Sequence, residues 1–206
     1  MFNDARSKRV MLVAHCVLNQ NSISDGTADY PGSDQALVEL LLGAKVGIVQ
    51  LPCPELMCLG LDRGNPDGGS CPLLVENTRI RGAMARRSAA RKLESLARSV
   101  VYQILEYRKH GFDVLGIVGI NRSPSCGVET TSRNSREVAG RGVFMEALLR
   151  EMKRSKVPAR MLGIKAGERR AAIESLRELI PTAGKPPRRA APRSRARRPR
   201  ESRPSV

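Results

Sequence analysis

The chain has no tryptophan, three tyrosines and three phenylalanines in 206 residues. So few aromatic rings leave little for stacking on nucleic-acid bases. No stretch approaches the roughly 18 to 20 consecutive apolar residues that would span a bilayer. Met1 to Arg9 is polar and leads into no apolar run of the signal type, so a cytoplasmic location is expected. Acid is also scarce, with 20 Asp and Glu against 36 Lys and Arg. The five cysteines are an odd number, which argues against a disulfide framework and leaves metal binding, catalysis or core packing.

The excess positive charge is unevenly placed. Residues 181–206 hold nine bases, one acid and six prolines, and account for half of the net +16. With no aromatic, Leu or Ile, this segment cannot bury enough apolar surface to offset its ordering entropy, so a disordered basic tail is expected there. Residues 1–180 remain as one domain, long enough to bury about 70% of the surface that their unfolded chain exposes.

Within those residues, apolar runs of strand length alternate with helical patterns. Val10–Ala14, Val46–Leu51, Val114–Ile120 and Ala159–Ile164 read as buried strands. Helices are expected from Asp34 to about Leu42 with Ser33 as cap, from Met84 to Lys109, from Gly142 to Arg154 and from Glu168 to Ile180. Pro52 and Pro54 mark a turn, and Gly60 to Gly69 a loop. The alternation predicts an α/β fold: a three-layer domain with a mostly parallel sheet of about four to five strands and helices on both faces.

Cys16, Cys53 and Cys126 each follow the carboxyl end of a different expected strand, the edge where open parallel sheets bind ligands. Three loops can therefore bring the three thiols to one site. Clustered thiolates repel, so a metal or cluster is their natural partner, with zinc or iron and sulfide favoured by thiolate ligation. A structural zinc site usually has four protein ligands, whereas three leave a position open. The competing reading is that all three are small buried side chains, since free cysteine packs readily in cores.

The phrases Ala14-His-Cys16-Val-Leu-Asn19-Gln-Asn21, Leu51-Pro-Cys53-Pro-Glu55 and Gly119-Ile-Asn-Arg-Ser123-Pro-Ser-Cys126-Gly-Val-Glu129-Thr-Thr131 resemble the DUF523 superfamily, more closely its thiouracil desulfurase-related (TudS-like) branch. The resemblance runs from about residue 9 to 165. It implies a [4Fe-4S] cluster held by Cys16, Cys53 and Cys126, whose fourth iron takes the sulfur of a small thiolated substrate such as 2-thiouracil. Under that reading Glu55 is the candidate acid–base residue and Ser123 orients water or substrate. The alternatives are a solvated turn acid for Glu55 and a helix cap for Ser123. The sequence departs from the branch at Leu56-Met57-Cys58-Leu59, where a glycine pair is usual, and at Asn121 before Arg122, where a basic–acidic pair is usual. Both departures bear on substrate choice.

The other polar residues carry weaker signals. Asn19, Asn21 and Asn121 are candidate substrate contacts, because amides read both edges of a pyrimidine-like ring, and turn formation explains them equally well. Cys58 and Cys71 are alternative ligands or plain core residues. His15 is expected to be structural, and His110 to sit at a helix end. The basic tail raises contact with RNA, and with it a different reading: a non-enzymatic iron-sulfur or zinc protein held on RNA or an acidic partner.

Overall fold

The computed structural model describes residues 2–165 and 167–180. Residues 181–206, the expected basic tail, lie outside the described residues. From the amino end the chain forms β1 (Arg9–Val13), α1 (His15–Leu18), α2 (Gln35–Gly43), β2 (Gly47–Gln50), α3 (Pro54–Leu59), α4 (Leu73–Met84) and α5 (Arg87–Lys109). There follow β3 (Asp113–Ile120), β4 (Thr130–Arg133), β5 (Arg136–Ala139), α6 (Val143–Arg154), β6 (Met161–Ile164) and α7 (Arg169–Leu179).

Four strands form a parallel sheet in the order β2-β1-β3-β6. The period of two along β1 sends Val10 and Leu12 to one face and Met11 and Val13 to the other, each into its own apolar cluster. On the first face lie residues of α4, α5 and α6, and on the second residues of α2 and α7, which gives the expected three layers. The β1–β3 register shifts between Val10 and Met11, so that Val10 pairs with Val114 and Met11 with Gly116. Leu115 is the extra residue of a bulge, and the shift lets both Leu115 and Val118 face the second cluster. Because the chain runs from β1 to β2 on one side and returns to β3 on the other, β1 marks the switch of direction where crevices open at the carboxyl ends of strands.

The structure departs from the sequence expectations at local caps and turns. Asp34, not Ser33, caps α2, its carboxylate accepting from Leu37 N at 3.3 Å. The helix expected from Met84 to Lys109 is α5, which starts at Arg87, and Met84 instead ends a separate helix, α4, that was not expected. Apolar periodicity missed α4 because its inner face buries Glu76 and Asn77 beside Ile80 and Met84. The antiparallel β4–β5 hairpin was also unforeseen. Its two-residue turn, Asn134 and Ser135, has both φ positive, the geometry of a type I′ turn without the usual glycine. Among the described residues no helix is long and apolar enough to cross a membrane.

Candidate functional site

Backbone pairing carries the first two cysteines to the same edge of the sheet. Ala14 N donates to Val118 O and Leu51 N to Val13 O, so β1 and β2 remain bonded to their neighbours up to the start of the loops. Cys16 then falls in the first turn of α1. Cys53 is the cap of α3: its Sγ accepts from Leu56 N at 3.5 Å, and Pro54 takes the first helical position, where a missing N–H costs nothing. The expected turn at the two prolines is thus also a helix start.

Cys126 sits in a tight loop after β3. Ser123 Oγ accepts from Cys126 N at 2.9 Å and from Ser125 N at 3.3 Å, and Ile120 N donates to Cys126 O. The first N–H groups of α6 close over the same loop, with Val143 N on Pro124 O and Phe144 N on Ser125 O. Gly142 permits this approach, since a Cβ there would run into the backbone of Ser125 and Cys126. Arg81 braces the loop from α4, with Nη1 on Pro124 O at 3.3 Å and on Thr131 Oγ1 at 3.2 Å.

All three cysteines line one cavity of about 220 Å³, together with Glu55, Arg63 and Ser125. Their thiols are free. Burial pushes Cys16 up to about 12, reinforced by the charges that Cys53 and Glu55 would place beside it. Burial likewise raises Cys126 well above the ordinary thiol range, with Cys16, Cys53 and Glu55 all adding to the effect. Cys53 is raised by burial and by Glu55, against the Leu56 N–H, which favours the thiolate. Cys16 and Cys126 each lie within the field of another of the thiols, and all three feel the same carboxylate. Left without a cation, the three favour their protonated form.

Glu55 is 6% exposed and fully engaged. Ser125 Oγ donates to its Oε1 at 2.5 Å, while Arg63 Nε at 3.2 Å and Ser24 Oγ at 3.3 Å donate to its Oε2. The carboxylate therefore joins three loops: those after β1, after β2 and after β3. It is not a solvated turn acid. Arg63 and Ser125 escaped the sequence reading. Arg63 lies among glycines, a proline and aspartates, where nothing in the pattern separates it from a surface arginine. Ser125 did carry a signal, standing beside Cys126 inside the most specific of the quoted phrases.

The other candidates fall in different places. Ser123 and Asn121 border the cavity. The Asn121 side chain is committed to its own loop, its Oδ1 accepting from Val128 N, Glu129 N and Thr130 N and its Nδ2 donating to Gly163 O. Asn19 and Asn21 are not among the lining residues; Asn19 Oδ1 accepts from Asn21 N and Nδ2 at 3.1 Å, an Asx turn that opens a short 3₁₀ helix. Cys58 lies against the core near Ala89 O, Cys71 lies near Asp67 O, and neither lines the cavity. His15 bonds Gln50 through Nδ1 at 2.7 Å, and its buried Nε2 has no hydrogen-bond partner among the described residues. His110 follows the end of α5 beside Glu106. Also among the described residues, no three His, Cys, Asp or Glu side chains gather round a point where a single metal ion could sit.

Comparison with known proteins adds two likenesses. An uncharacterised protein of Methanocaldococcus jannaschii is 28% identical over 149 residues, spanning 72% of this chain and 81% of its relative. A solved structure described as a [4Fe-4S]-dependent thiouracil desulfidase aligns with 82% of this chain and 99% of its own, at a TM-score of 0.41 and 15% identity. No family model matches the chain.

Proposed function

We propose that the chain is a desulfidase that removes sulfur from a small thiocarbonyl-bearing heterocycle, with Cys16, Cys53 and Cys126 as the thiolates that hold a [4Fe-4S] cluster. The observation that carries this reading is that three thiols from three adjacent strand ends share one small cavity with a buried carboxylate.

The donor set fits such a group. Burial opposes ionisation of all three thiols, so holding them as thiolates takes a compensating cation. Three protein thiolates leave one ligand position open, whereas a structural zinc site usually takes four protein ligands. A [4Fe-4S] cluster would take Cys16, Cys53 and Cys126 as its thiolate ligands. When bound, a cluster with one iron free of protein thiolate supplies a thiophilic Lewis acid for the substrate's sulfur.

The chain's own residues handle orientation and protons. Glu55, held between Ser125 and Arg63, is the group that takes a proton from attacking water and returns it as the carbon–sulfur bond breaks. The Ser123 oxygen already accepts from two amides, so its O–H is left to donate, either to Ser125 or to a ring atom of the substrate.

The test is purification without oxygen, iron and sulfide analysis, and incubation with 2-thiouracil and related thiolated rings. The expected result is a brown protein with about four irons per chain that releases sulfide from at least one of these compounds. A colourless protein that takes up no iron on reconstitution would overturn the reading.

A further inference from the structure

We infer that Arg63 is the positioning residue of this site, holding the Glu55 carboxylate and the Cys53 turn in one geometry. The inference rests on the desulfidase reading. Arg63 is 3% exposed, among the most buried charged side chains of the described residues. A guanidinium has five N–H donors, and taking it out of water is tolerable only when they find acceptors. Arg63 has five: Nε meets Glu55 Oε2 at 3.2 Å, Nη1 meets Gly60 O at 3.2 Å and Leu61 O at 2.7 Å, and Nη2 meets Ser22 O and, at 3.8 Å, Cys53 Sγ.

Three of these acceptors are main-chain oxygens that fix the loops around the cavity. The other two are a proposed cluster ligand and the proposed acid–base residue. Both kinds of contact are made by one rigid plane, so that the loops set the direction from which Glu55 is held. Its own backbone is left-handed, φ +57°, a conformation that glycine or asparagine adopts with less strain. The fold accepts an arginine at that position, and the side chain then reaches five acceptors.

A lysine ammonium keeps the charge but has three donors and no planar fork, so it cannot reach the same five acceptors. Purified without oxygen, Arg63→Lys is expected to hold iron at about the wild-type level, with kcat per loaded chain lower by about a hundredfold and KM little changed, the signature of a displaced reacting group. A residue that served only to stabilise the loops would lower iron content and yield but leave kcat per loaded chain intact. That result, or full activity in Arg63→Lys, would overturn the inference. Arg63→Gln, which keeps two donors without charge, should fall below the lysine variant in kcat.

Should the wild-type chain take up no iron, the desulfidase reading fails, yet the positioning role is still read from crystal structures of the iron-free wild-type and Arg63→Lys chains. The Glu55 carboxylate is expected to leave its place between Ser125 and residue 63 in the variant. An unmoved Glu55 would sink the inference by itself.

Discussion

The two ends of the central sheet make different use of their residues. At the carboxyl ends of β1, β2 and β3 lies the small cavity of about 220 Å³, walled by thiols, Glu55 and Arg63. At the amino ends of β3 and β6 lies a broader groove of about 770 Å³, with Lys153, Lys156 and Arg160 exposed at its rim and Val114, Met152 and Val157 among its walls. The larger opening shows cations in water over an apolar floor and no cysteine among its lining residues. The smaller one spends buried polar groups, each engaged, on holding three loops together. Buried polarity costs folding free energy unless it is paired, so its concentration at one edge, and not the size of the opening, marks where the chemistry is proposed to occur.

The largest test of that contrast removes the thiols. Replacing Cys16, Cys53 or Cys126 by Ala, one at a time, is expected to abolish iron binding and sulfide release together, followed by iron analysis and visible absorbance. The same change at Cys58, which lies outside the cavity, should leave iron content unaltered. If all four variants behave alike, the carboxyl edge has no special standing.

Next come the groups that handle protons. Glu55→Gln should lower kcat by about a hundredfold to ten-thousandfold with iron retained. Ser125→Ala, which removes one of the holds on Glu55, should cost less, about tenfold, near the free energy of one charge-assisted hydrogen bond. Steady-state kinetics normalised to bound iron separates these effects from loss of the cluster.

A smaller effect is expected from packing at the same edge. Gly142→Ala puts a methyl group against the Ser125–Cys126 backbone and should destabilise the fold by about 1 to 3 kcal/mol, seen as a lower Tm. The smallest belongs to the opposite edge: Lys153→Ala and Lys156→Ala should change stability by no more than about 0.5 kcal/mol and leave sulfide release alone. A loss of activity in either lysine variant would break the comparison, because the two edges would then be coupled.

How much of this was legible beforehand differs from element to element. The runs Val10–Ala14 and Val114–Ile120 announced β1 and β3, since a strand covered on both faces needs apolar residues at successive positions. α4 was not legible: its buried Glu76 and Asn77 also need partners outside the helix, Asn65 for Glu76 and Ser132 for Asn77, and no periodic pattern encodes such partners. Arg63 was hidden for the same reason. Its acceptors lie between 2 and 41 residues away, so its environment exists only once the loops meet. The asparagines Asn19 and Asn21 show the opposite case, polar residues near a cysteine in sequence that the fold uses for a local turn.

Amino-acid order by itself determined the alternation of strands and helices, the three-layer arrangement and the placing of Cys16, Cys53 and Cys126 just past three strand ends, because these follow from periodicity and chain direction, which are local properties. Only the tertiary structure decided that the three loops open into one cavity and that Glu55 is clasped there by Arg63 and Ser125. Those contacts depend on which strands lie side by side, and that order, β2-β1-β3-β6, is set by the joint burial of both sheet faces and not by any one segment.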